Sequence, residues 1–262
     1  MNKYILFLSV IASLFCNSCI STRDLIYLQK KEGVVVVSTI SAVASKPYRI
    51  QTNDVLSLSI KAIDPKLVSI FSTVNEGEVG KSASGLYFDG FTVDDHGNIR
   101  IPVLGEMNVI GYTLDEIRLR IEKQLLAEYF KKEANIFVTV KLAGFKYTIN
   151  GEVGSTGTKT LFQDHVTIME AIANSGDIAI TGDRKSVTIM RQTPTGVEMH
   201  DIDLTDINVM KSPYFYLQPN DYVYVKPLKQ KTWGTGKTGL ESLSTFITLL
   251  SLATTTFFLL TK

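Results

Sequence analysis

The sequence holds two cysteines, Cys16 and Cys19, and none after Cys19. A chain cut between Ser18 and Cys19 has no disulfide to brace it, even in an oxidising compartment, so its fold must rest on a packed core. Charge of one sign is also missing. Lys and Arg number 27 against 26 Asp and Glu, a formal net charge of +1. With no basic stripe, electrostatics gives no reason to expect a nucleic-acid partner. Histidine is scarce: His96, His165 and His200 are far apart in sequence and lack metal-ligand spacing. No Ser-His-Asp or Cys-His arrangement can be assembled, and neither metal nor cofactor is expected beyond a covalent lipid on Cys19.

Two fragments of chemistry are incomplete. Gly234-Thr235-Gly236-Lys237-Thr238 resembles half a phosphate loop, but Lys231 occupies the position of its first glycine, and a phosphate cradle needs that backbone freedom. Asp201, Asp203 and Asp206 form the most acidic cluster. Paired carboxylates serve glycosidases, but aspartates where a strand runs into a turn are usually solvated, and no enzyme activity is expected.

What is present is a composition with 45% hydrophobic and 20% charged residues over 262 positions. It suits two or three small domains with real cores. Both ends are apolar. Lys3 and the run Tyr4 to Phe15 read as the charged and apolar parts of a signal peptide, too short to span a bilayer. Ser18, small and directly before Cys19, makes residues 1–18 a lipoprotein signal and Cys19 the lipidation site. The alternative is a soluble secreted protein cut nearby. Residues 19–46 then form a tether containing a strand at Val34 to Val37.

Between the ends, strand and helix periods alternate. Leu56, Leu58 and Ile60 share one strand face. Asp64-Pro65 opens a short helix through Phe71, and Asn75 to Gly90 is a long loop. Asp94 to Asn98 is a turn between strands at Phe91 to Val93 and Ile99 to Ile101. Thr113 and Glu116 form a capping box, opening a helix to about Phe130 with Leu114, Ile117, Ile121 and Leu125 as its stripe. Ile136, Val138, Val140 and Leu142 alternate as a strand. The theme then repeats. Lys146 to Val153 is extended, Gly154 to Gly157 turns, and Thr167 with Glu170 caps a short helix ended by Gly176. Strands follow at Ser186 to Arg191, Val197 to Ile202 and Tyr222 to Val225. The fold class is α+β.

Residues 228–239 form a linker, in which Trp233 suits a membrane interface. From Leu240 to Leu260 the chain has a single charge, Glu241. About 21 helical residues reach roughly 31 Å, near a bilayer's hydrocarbon thickness. At about 100° per residue, Glu241, Ser244, Thr245, Thr248, Ser251 and Thr255 fall on one arc. Leu243, Phe246, Ile247, Leu250 and Phe257 fall on the other. An amphipathic transmembrane helix over residues 240–262 is expected, its hydroxyls lining an aqueous pore shared by several copies and its opposite arc facing lipid. The alternative is a lone anchor whose Ser and Thr side chains bond back to their own carbonyls.

Several stretches resemble a known family. Tyr48-Arg49-Ile50-Gln51-Thr52-Asn53-Asp54-Val55-Leu56 resembles the opening of the polysaccharide-export domain, with Asn53 where glycine is usual. Val93 to Gly105 (VDDHGNIRIPVLG) and Gly111-Tyr112-Thr113 with Glu116 resemble later parts of that domain. Ile149-Asn150-Gly151-Glu152-Val153 leads into a stretch similar to a soluble-ligand-binding β-grasp domain, with Thr156 in place of the common proline. The resemblance implies an export domain over residues 47–145, a β-grasp domain over 146–227, and membership of the Wza-like outer-membrane exporters of capsule and exopolysaccharide. That family implies a lipid-anchored homo-oligomeric ring at the cell outer membrane, with its globular domains in the periplasm. It also implies a passing polysaccharide chain and an inner-membrane co-polymerase, often joined to a tyrosine kinase. The competing reading is a double-anchored periplasmic lipoprotein that binds glycan or a partner without a pore.

The lipidation reading predicts that Cys19→Ser abolishes incorporation of radiolabelled palmitate. Undiminished labelling of that variant would refute it.

Overall fold

The computed structural model describes residues 21–30, 47–62, 71, 89–130, 135–193, 196–229, 247–252, 254 and 255. The expected strand at Val34 to Val37, the helix at Asp64 to Phe71 apart from Phe71 itself, and most of the Asn75 to Gly90 loop lie outside these residues. The described fold is α+β, with two hydrophobic cores.

The first unit is built on β1 (Val55–Lys61), flanked by β2 (Phe91–Thr92) and β5 (Phe137–Leu142) in a three-stranded antiparallel sheet. A hairpin of β3 (Asn98–Ile101) and β4 (Gly105–Asn108) stands beside it. Helix α1 (Leu114–Glu128) lies across the sheet, burying Ile117, Ile121 and Leu125 against Leu56, Ile60, Val138 and Val140. Its start is fixed by the expected capping box: Glu116 N–H donates to Thr113 Oγ1 and Thr113 N–H to Glu116 Oε2, at 3.3 and 2.7 Å. Each fully buried isoleucine contributes about 1.5–3 kcal/mol by leaving water.

The turn at Asp94 to Asn98 joins β2 to β3, as its sequence predicts. It does not close a hairpin, because β2 pairs with β1 and β3 pairs with β4. Asp94 Oδ1 instead accepts from the His96 and Asn98 N–H groups, turning the chain from one sheet to the next. Alternating β-branched residues mark strands but not their partners. Strand β4 and its tip had no such mark. Val103 sits there with φ +70°, nearly half exposed, a rare conformation for a β-branched residue.

The strands of the second unit are β6 (Phe145–Gly151), β7 (Gly157–Leu161), β8 (Gly182–Thr193), β9 (Gly196–Ile202) and β10 (Tyr222–Pro227). They form a five-stranded sheet in the order β7-β6-β10-β8-β9. All neighbours are antiparallel except the central pair, β6 and β10, which run parallel. Helix α2 (Ile168–Ala173) packs on one face, burying Ile168, Ala171 and Ile172 as its spacing predicts. Tyr147 is fully buried beneath it, and its hydroxyl donates to the Ala171 carbonyl at 2.9 Å.

The start of the expected tether is docked onto this unit. Tyr27 and Leu28 pack against its core. Leu28 N–H donates to the Leu204 carbonyl, and Gln29 bridges Asp206 in parallel. At the other end, residues 247–252, 254 and 255 are helical. Among the described residues no helix is long and apolar enough to cross a membrane, so the full-length span expected over 240–262 is not shown.

Gly151 is the tightest point of the second sheet. Its φ is +95°, and a Cβ there would meet the Val225 carbonyl oxygen at 2.0 Å. Gly151→Ala must therefore push β6 away from β10 and is expected to lower stability by about 3 kcal/mol or more, read from urea unfolding in mild detergent. A loss below about 1 kcal/mol would show that the strands part without cost.

Candidate functional site

The two units meet along a groove of about 1040 Å³. Arg49, Glu116 and Lys141 line it from the first unit, and Phe162, Tyr214 and Tyr216 from the second. The joint beneath it is made by the opening motif of the first unit. Asp54 is buried. Its Oδ2 accepts from Tyr48 Oη and Gln51 N–H, both at 2.8 Å, and its Oδ1 accepts from Asn220 Nδ2 of the second unit at 3.2 Å. Burial pushes the Asp54 carboxyl up, opposed by the Gln51, Tyr48 and Asn220 donors and by the positive charge of Lys146. Tyr48 is driven upward too, by burial and by the adjacent Asp54 charge. Asn53 has φ +67° in this turn, the left-handed region that favours glycine and tolerates asparagine. That accounts for asparagine where the motif usually has glycine.

The same motif is stitched to the helix opening. Ile50 N–H donates to the Tyr112 carbonyl, Gly111 N–H donates back to the Ile50 carbonyl, and Arg49 reaches the Gly111 carbonyl at 2.7 Å. The segments that carry the family resemblance are thus neighbours in space, and they form a joint.

The far wall rests on a buried ion pair that sequence reading missed. Arg191 Nε and Nη2 donate to Asp221 Oδ1 and Oδ2 at 2.9 and 2.7 Å, and both residues are over nine-tenths buried. Burial pushes the Asp221 carboxyl up, while the Arg191 fork and the Gln218 N–H pull it back. These partners lie far apart in sequence on β8 and just before β10, so no local pattern joins them. Arg191 also stacks over the Tyr214 ring, 5.1 Å from its centroid.

The aspartate cluster does not converge. Asp201 lies on the sheet face, where Lys226 Nζ, Thr188 Oγ1 and Ser186 Oγ donate to it; these bonds, led by Lys226, hold its carboxyl below the usual range. Asp203 instead accepts from Thr205, and Asp206 caps a 3-10 turn at Ile207–Lys211. The histidines are dispersed as well. His96 sits in the turn, His165 packs beside Tyr216, and His200 stacks on Tyr214. No group of three or more metal-binding side chains occurs among the described residues.

Of the expected membrane residues, Cys19, Glu241, Ser244, Thr245, Leu243, Phe246 and Phe257 lie outside the described residues. Ile247 and Leu250 are exposed on the described helical turns. Ser251 Oγ donates to the Thr248 carbonyl at 2.9 Å, and Thr255 Oγ1 donates to the Ser251 carbonyl. The described hydroxyls of Ser251 and Thr255 therefore bond back to their own helix.

The geometry defines an α+β protein whose opening motif is an inter-unit latch. Residues 42–141 match the family described as polysaccharide biosynthesis/export protein, and the stretch from Tyr48 to Glu116 that resembles the polysaccharide-export domain lies within that match. The chain is 29% identical over 152 residues to the "EPS I polysaccharide export outer membrane protein EpsA" of Ralstonia solanacearum. It is 30% identical over 155 residues to the protein of the same name from Ralstonia nicotianae. Each match covers 55% of this chain and 39% of the relative.

Asp221→Ala, leaving Arg191 buried without its partner, is expected to cost about 3–5 kcal/mol, whereas Arg191→Met with Asp221→Leu stays near wild type. Urea unfolding checks both; equal losses would argue against a desolvated pair.

Proposed function

We propose that this chain is an outer-membrane lipoprotein subunit of an exopolysaccharide or capsule exporter. The observation that carries the reading is the match of residues 42–141 to the polysaccharide biosynthesis/export family. The relatives' names, as exopolysaccharide export proteins of the outer membrane, support the location and the cargo class. In this reading lipid on Cys19 anchors the chain, and residues 47–145 and 146–227 stand in the periplasm. Sister copies form a ring, and an inner-membrane co-polymerase, with or without a tyrosine kinase, delivers the glycan. The protein makes and breaks no bonds.

The second unit is read as a β-grasp domain. Counted from its own first strand, the order of its sheet is 2-1-5-3-4, with first and last strands parallel and one helix across the face. That arrangement supports the assignment. Residues 240–262 are read as the wall of a shared pore, with Thr248, Ser251 and Thr255 toward water and Ile247 and Leu250 toward lipid.

One observation favours the second reading, a double-anchored binding lipoprotein without a pore. The hydroxyls of Ser251 and Thr255 bond to carbonyls of their own helix, as a lone helix in lipid requires.

Deleting the chain from Leu240 onward is expected to leave a folded lipoprotein and abolish surface polysaccharide. Normal capsule in that strain would refute the pore. Replacing Thr248, Ser251 and Thr255 together with leucine is expected to impair export more than exchanging Leu243, Ile247 and Leu250 for other apolar residues. Equal impairment would favour the poreless anchor.

A further inference from the structure

The segment just after Cys19 is held to the second unit by contacts of four kinds. Backbone pairing joins Leu28 and Gln29 to Leu204 and Thr205 at 3.0 and 2.6 Å, and Ile207 N–H returns a bond to the Gln29 carbonyl. The Tyr27 hydroxyl donates to Asp177. Arg184 lies over the Tyr27 ring, 5.2 Å from its centroid. Lys185 Nζ meets Asp24 Oδ1 at 2.5 Å. Burial and the Asp177 bond push the Tyr27 hydroxyl up to about 12, so it keeps its proton to donate.

The side-chain contacts fall on the stretch from Asp177 to Lys185, which runs into the start of β8, and the backbone bonds fall on Leu204 to Ile207, where Leu204 N–H is itself bonded to the Arg184 carbonyl. The chain leaving β10 meets the Asp177–Lys185 stretch, where Leu228 N–H donates to the Thr181 carbonyl at 2.8 Å. The stretch leading back to Cys19 and the stretch leading on to the apolar tail therefore depart from one end of the second unit. Apolar side chains are exposed at that end. Ile180, just ahead of β8, is 67% exposed, and Ile26, beside Tyr27, is 50% exposed. Ser21, the first described residue, is two peptide steps from Cys19, a reach of at most about 7 Å. A docked strap that begins so close to an acyl chain leaves the unit little freedom to stand away from the bilayer.

We infer that residues 21–30 are an orienting strap that holds the Asp177–Lys185 end of the second unit against the lipid surface, with Ile26 and Ile180 entering the boundary between headgroups and acyl chains. This inference rests on the lipoprotein reading above. Lipid at Cys19 supplies attachment, and apolar side chains that enter the interface beside it set which face of the unit meets the bilayer. Isoleucines suit that role because they bring apolar area without a charge to desolvate.

The sequence offers a clean test, since no cysteine follows Cys19. Full-length, acylated Ile180→Cys, Ile26→Cys and Glu106→Cys proteins are labelled with nitrobenzoxadiazole and reconstituted into vesicles of phosphatidylethanolamine and phosphatidylglycerol. Glu106 is an exposed residue of β4 and serves as the aqueous reference. Labels at 26 and 180 are expected to be quenched by doxyl lipids and protected severalfold from iodide relative to 106. Iodide quenching at 26 and 180 equal to that at 106, in protein that sediments with the vesicles, overturns the inference and leaves the lipoprotein reading standing. Protein that stays in the supernatant overturns both. Adding Tyr27→Ala to the Ile180→Cys protein is expected to keep sedimentation and raise iodide quenching at 180; unchanged protection overturns the strap.

Discussion

A single buried carboxylate organises the meeting of the two units. Asp54 lies out of water, and an unpaired carboxylate there would cost several kcal/mol. Its oxygens take a hydrogen bond from the backbone of its own turn, one from Tyr48 and one from Asn220 across the joint. Satisfying it therefore fixes the turn before β1, seats Tyr48, and draws the chain ahead of β10 against the first unit. The groove above, and the placement of Arg49 and Tyr214 on its opposite walls, follow from that seating.

Much of the fold was legible in the sequence, and the reason is local. Thr113 with Glu116 and Thr167 with Glu170 sit three apart, and both capping boxes form. Apolar alternation located β1 and β5, and apolar or extended runs between turns located β6, β8, β9 and β10, although β9 buries only Ile202. Pairing was less legible. The turn at Asp94 to Asn98 has the chemistry of a hairpin but joins strands of different sheets, since partner choice depends on the whole core. Strands β4 and β7 escaped notice because Gly105–Asn108 and Gly157–Leu161 are largely exposed and have no apolar alternation.

The site followed the same division. The motifs that carry the family resemblance were visible as words in the sequence, but their physical role was not. Asp54 reads as part of a motif; only the fold brings Asn220 to it. Arg191 and Asp221 gave no signal, because an ion pair between a strand interior and a later loop has no fixed spacing. The acidic cluster invited a catalytic reading that the fold disperses, as Asp201 pairs with Lys226 while Asp203 and Asp206 each close a turn.

The parallel seam between β6 and β10 has a mechanical consequence. Because the first and last strands of this unit lie side by side and point the same way, the chain comes in at one end and leaves at the other. A pull between the two ends loads the seam along its length. All of its hydrogen bonds then resist together in shear, and none can be peeled ahead of the rest. A unit wired in this way behaves as a stiff link, able to carry tension between whatever grips its two ends.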